Sequence, residues 1–128
     1  MQDDGQNIYL EVPISEEYAH LLRLMVSGIA SRMNFNLDAV DDLKIAVEEA
    51  FLLAINNSPK ENQGISFRCS ESKIEITLEG LIQSRENIDE NQRKGQDYGL
   101  FIVEAVVDEL EIVEGKDGSD LKLVKLLK

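Results

Sequence analysis

Few residues in this chain have the type and spacing to do chemistry. Glu49 lies on the stretch DDLKIAVEEAFLLAINNSPK, residues 41 to 60, which reads as one amphipathic helix. A carboxylate there could orient a hydroxyl nucleophile, as phosphoryl transfer requires, or be a helix carboxylate with Lys44 and Glu48 as local neighbours. Both readings stay open. Gly95 and Gly99 in KGQDYGLF could shape a loop that approaches phosphate, or supply the backbone freedom of a tight turn before a helix. His20, the single histidine, belongs to no Ser/His/carboxylate or zinc-ligand spacing and reads as a surface helix residue. Cys69, the single cysteine, excludes an internal disulfide and a thiolate metal cluster, and fits a small apolar position on a strand.

The elements that must position these residues follow from periodicity. Ile8, Leu10, Val12 and Ile14 alternate with polar or interrupting residues, so residues 8–14 are expected to form a half-buried strand. Pro13, lacking an N–H, puts that strand at an edge or ends it. Ser15 offers an N-cap to a helix carrying Tyr18, Leu21, Leu22, Met25, Ile29 and Met33 on one side, and Asn34 to Asn36 break it. Leu37, Val40, Leu43, Val47, Ala50, Phe51 and Ala54 give the second helix, capped by Asn36, an apolar stripe that should face a sheet, and Pro59 stops it. GISFRCS and KIEITLEG alternate as a hairpin. Residues 81–97 show no sustained period and read as a long surface loop with room for a helical turn. YGLFIVEAVVDEL then reads as a short buried helix, and LEIVEG, a KDGS turn and DLKLVKLL as a second hairpin. The expected class is α+β: a two-layer sandwich with about three helices on one face of a mixed or mostly antiparallel sheet.

A length of 128 residues fits one domain, expected over 1–128, and 43% hydrophobic with 30% charged residues fits an ordinary globular chain. The formal net charge of -12 repels nucleic acid and anionic membrane and favours basic protein surfaces. No apolar run reaches the roughly 20 residues of a membrane span and MQDDGQN lacks the pattern of a signal peptide, so a cytoplasmic location is expected.

Two blocks carry a family resemblance. LLRLMVSGIASRMNFNLDAVDDLKIAVEEA and DYGLFIVEAVVDELEI resemble the bacterial anti-sigma factors of the RsbW and SpoIIAB type, small members of the histidine kinase-like ATPase (GHKL) superfamily. The resemblance implies ATP with magnesium held between a helix and a lid. It also implies partner switching between a sigma factor and an antagonist phosphorylated on serine, and a homodimer, for which Leu24 and Val26 widen the apolar face of the first helix. Glu49 matches the family's general base. Leu53 falls where an asparagine should hold magnesium, and a leucine offers none of the oxygens that this cation needs at about 2.1 Å. Asn57 is a remote substitute, about 6 Å further along the axis at 1.5 Å per residue.

The family's Asp-x-Gly-x-Gly stretch corresponds to LEGLIQS, where Glu79 stands in for the adenine-reading aspartate and only Gly80 remains. In the second glycine box Gly95 and Gly99 persist, with Asp97 expected to cap the following helix and repel a triphosphate. The expectation is an anti-sigma-like protein that binds partners, with weak or lost ATP and magnesium binding. The alternatives are an active serine kinase and a binding module for another regulatory partner.

Overall fold

The computed structural model describes residues 5–115 and 118–128. Strand β1 (Gln6–Pro13) leads through a single 3-10 turn (Glu16–Tyr18) into α1 (Ala19–Arg32) and α2 (Leu37–Asn57). Then come β2 (Asn62–Cys69), β3 (Lys73–Ile82), α3 (Glu90–Val106), β4 (Glu109–Glu114) and β5 (Ser119–Leu126). The five strands form one sheet in the order β1-β2-β3-β5-β4, and every neighbouring pair is antiparallel. The α+β sandwich with three helices on an antiparallel sheet is therefore as expected, and β1 with its proline is an edge strand.

Alternation decides which face of the sheet is covered. Ile65 and Phe67 of β2, Ile74, Ile76 and Leu78 of β3, and Leu121 and Leu123 of β5 are buried. They pack in one core with Leu22 and Val26 of α1, Leu43, Val47, Ala50, Phe51 and Ala54 of α2, and Val103 of α3. The intervening residues Lys73, Glu75, Thr77 and Glu79 point the other way and are half-buried or exposed. α2 lies between α1 and α3 and makes most of the helical contribution to the core. Its cap is the one the sequence indicates, the Asn36 side chain accepting from the Ala39 amide at 2.8 Å. Cys69 is free and buried at the end of β2, where burial pushes its thiol pKa up.

Several local expectations need correction. Ser15 makes no side-chain cap, because the 3-10 turn intervenes before α1 begins. Leu37, assigned to the apolar stripe of α2, sits at the exposed first turn of the helix, 77% accessible. Val26 is a core residue, so of the pair expected to widen the outer face of α1 only Leu24 does so, joined by Leu21. The largest correction concerns residues 81–97. Leu81 and Ile82 complete β3, a 3-10 turn covers Arg85–Asn87, and α3 already begins at Glu90. The KDGS turn falls partly on Lys116 and Asp117, which lie outside the described residues.

The junction of α3 and β4 is pinned by Asp108, whose carboxylate accepts from the Leu126 amide at 2.7 Å and the Lys128 ammonium at 3.3 Å. The Leu126 hydrogen bond, with help from Lys128, holds this carboxyl below its usual range. A lowered folded-state value means the stabilisation is complete above the ordinary aspartate pKa of about 4 and is lost as pH falls through the folded value. Asp108→Ala should therefore cost about 1 kcal/mol at neutral pH. The gap from wild type should close in acid, as urea unfolding at the two pH values would reveal.

Candidate functional site

Of the candidate site residues, Glu49, Leu53, Asn57, Gly95 and Gly99 lie on the neighbouring helices α2 and α3, whereas Glu79 and Gly80 lie on β3. Glu49 and Leu53 are one turn apart on α2, and Gly95 and Gly99 are one turn apart on α3. Glu49 is half-buried and makes no hydrogen bond or ion pair among the described residues. The charges expected around it are engaged elsewhere: Glu48 with Arg23 of α1 at 3.4 Å, and Lys44 with Asp41 at 3.7 Å.

Leu53 is buried at 4% exposure and fills the space over Gly99. A Cβ placed on Gly99 would stand 2.9 Å from Leu53 Cδ2, so the glycine is required by the close approach of the leucine. Beyond this contact opens a cleft of about 280 Å³ lined by Leu53, Asn56, Asn57, Asn91, Gln92 and Gly95. The lining holds four carboxamides and neither a cation nor a carboxylate. Asn57 Nδ2 and Oδ1 are both buried and have no partner among the described residues. Gln92 crosses the cleft, its Nε2 donating to the Asn56 carbonyl at 3.1 Å.

The glycines do not form a loop before a helix. Gly95 and Gly99 are the sixth and tenth residues of α3, inside its hydrogen-bonded ladder, so their amides are not free to cradle an anion. The cap lies upstream at Asp89, which accepts from the Gln92 amide at 2.8 Å while Gln92 Oε1 accepts from the Asp89 amide at 3.0 Å. Asp97 thus caps nothing. It sits mid-helix and accepts two hydrogen bonds from Arg85 Nη1, at 2.9 and 3.2 Å. The start of α3 is further held by Arg93 Nε donating to the Arg85 carbonyl at 2.7 Å. Gln96, 3% exposed, accepts from the Gln83 amide at 3.0 Å and donates to the Gln83 carbonyl at 3.2 Å. One signal for this arrangement is present in the sequence: Asp89 is followed three residues later by Gln92, the spacing of a capping box.

An added Cβ at Gly95 would meet nothing within 4 Å. Gly95→Ala should therefore stabilise the protein by up to about 1 kcal/mol through helix propensity and a less mobile unfolded chain, read as a higher urea midpoint.

Glu79 stands apart from the seam between α2 and α3. It lies on the open face of the sheet, opposite the helices, where its Oε1 accepts from the Tyr9 hydroxyl at 3.2 Å and raises that phenol's pKa, second to the desolvation of the ring. Side chains alternate along β3, so a carboxylate meant for the seam would have to sit one residue earlier or later. Gly80, its neighbour, has φ of 60° at an irregularity of the β3–β5 register between Leu78 and Ile82. Its amide donates to Asp120 Oδ1 at 2.8 Å, so this glycine serves a bulge. The site residues brought together are Glu49, Leu53, Asn57, Gly95 and Gly99; Glu79 and Gly80 are placed elsewhere.

Residues 12–125 match the family model described as the histidine kinase-like ATPase domain. The chain belongs to the histidine kinase-like ATPase family. Among curated members, the serine-protein kinases RsbW of Staphylococcus aureus strains MSSA476 and JH9 are each 32% identical over 148 aligned residues, which span 100% of this chain and 91% of the relative. Among solved structures, the RsbU and RsbW domains of Rv1364c from Mycobacterium tuberculosis share the fold. The TM-score is 0.70 at 14% identity, over 94% of this chain and 32% of that one.

The donors at the seam decide whether the residues of this family member fit magnesium and a nucleotide. Leu53 presents hydrocarbon, and the cleft beyond it has no anionic oxygen for a divalent cation and no cation for a triphosphate. Among the described residues no group of three or more His, Cys, Asp or Glu could hold a metal. The N-terminus of α3, the nearest helix start, is capped by Asp89 and followed by Glu90. The donor set does not suit the pair.

Proposed function

We propose that this member of the family is a partner-switching regulator of the anti-sigma type that works by binding proteins, with its nucleotide site reduced to a scaffold. The reading rests on Leu53: the residue that should offer oxygen to magnesium is buried hydrocarbon seated on Gly99, and it joins α2 to an unbroken α3 where a mobile nucleotide lid would be needed. The relatives' kinase name supports the class of protein, and the -12 charge supports basic partners such as a sigma factor. Self-association through Leu21 and Leu24 of α1, 46% and 58% exposed, belongs to the same reading. So does a location in the cytoplasm with these partners.

A second reading, an active serine kinase acting on an antagonist, is favoured by Glu49 alone, which remains half-buried and uncommitted. A third assigns the same fold to an unrelated regulatory partner. Mixing the chain with purified sigma factors and antagonists of its source organism separates them. The proposal expects a stable complex whose affinity is unchanged by ATP and magnesium, with no labelled phosphate transferred. A complex that forms only with nucleotide, or transfer that Glu49→Ala abolishes, would establish the kinase. A chain that bound an antagonist but no sigma factor would favour the third reading.

A further inference from the structure

The sheet has two edges, and they are guarded differently. β1 ends on Pro13, which has no N–H to offer, and Gln6 at its other end accepts from Arg32 of α1 at 3.1 Å. β4 has no proline, and none of its six residues is buried: Leu110 is half-buried, and Glu109, Glu111, Ile112, Val113 and Glu114 are exposed. Among the described residues it pairs with β5 only, so its far side presents backbone groups with no ladder partner there, and Ile112 and Val113 stand 49% and 41% exposed on opposite faces. Such an edge is a template for another chain.

What guards it carries one sign. Glu109, Glu111 and Glu114 lie on the strand, Glu104 precedes it on α3, and no lysine or arginine occurs from 95 to 115. The cation opposite Glu111 in the register, Lys122 of β5, lies on the sheet side and already shares Glu75 at 3.8 Å. Two copies of β4 side by side would crowd their glutamates together, on chains that each carry -12. The edge therefore rejects its own kind and remains open to a strand of opposite charge.

We propose that β4 accepts an extended basic segment of another protein as a sixth strand, adding to the sheet beyond anything the seam between α2 and α3 does. Backbone hydrogen bonds would supply affinity, and the side-chain alternation would set the code. On the open face, lysine or arginine lies against Glu109 and Glu111; on the helix face, an apolar residue lies against Ile112.

The probe is a terminally blocked peptide of about ten residues alternating lysine and valine, with its glutamate-valine counterpart as control. Hydrogen exchange of the intact chain reads the result. The lysine peptide should slow exchange of the outward amides within residues 109–114 by about tenfold or more, because each acquires a ladder partner, while the glutamate peptide should not. In E109K/E111K the preference should reverse, with unchanged protection in β5 reporting that the fold is intact. Unaltered exchange in β4, protection spread over other acidic surfaces, or equal protection in the charge-reversed variant would overturn the proposal.

Discussion

Leu53→Ala is expected to destabilise the protein by about 2–5 kcal/mol, the range for emptying a buried leucine site, although a member of this family with a working metal site would carry a polar residue there. Gly99→Ala should also destabilise, by about 1–3 kcal/mol, because its Cβ would press on Leu53 Cδ2 harder than the gain in helix propensity can offset. The informative quantity is the pair. With Leu53 shortened there is room for the new methyl, so the double variant should be more stable than the sum of the single losses predicts, with a coupling of about 1 kcal/mol or more. Urea unfolding of the four proteins measures it. Additive losses would mean that the leucine does not hold α3 in place.

The second large effect is expected at Gln96. Its side chain satisfies both backbone groups of Gln83 from a position 3% exposed, fastening the middle of α3 to the end of β3. Gln96→Ala would strand a donor and an acceptor on the half-buried Gln83, and a loss of about 2 kcal/mol follows from the lower end of the roughly 1–3 kcal/mol cost of each group left unpaired. Exchange of the α3 amides should quicken more than that of α2, since the clamp acts on α3 alone. If stability changed by only a few tenths of a kcal/mol, water would be replacing the clamp, and α3 would be far less fixed than its geometry indicates.

These positions also explain what could be read beforehand. β1, α2 and the stretch of the β2–β3 hairpin from Ile65 to Leu78 were legible because their buried residues are apolar and fall on clean periods of two or 3.6, whereas buried Gln63 lies outside that pattern. α3 was half hidden because its buried positions 96, 99 and 103 have helical spacing but are a glutamine, a glycine and a valine. A periodicity of hydrophobicity cannot register a residue that is buried to bond a backbone, or one that is buried because it has no side chain. The same gap makes Asp97 read as the cap of a helix whose cap is Asp89, and leaves Gly95 in the loop before it. Glu79 was misplaced for a different reason. Matching a motif by residue type ignores the alternation of a strand, and a shift of one position turns a carboxylate from the helix layer to the open face. Leu53 was legible by chemistry alone, since the absence of an oxygen needs no coordinates; its seat on Gly99 needed them.

Isothermal titration of the purified chain with ATP and magnesium tests the central claim most directly. The account predicts no saturable heat at micromolar nucleotide, with or without the metal. Magnesium-dependent binding in the micromolar range, weakened in Glu49→Ala, would contradict it.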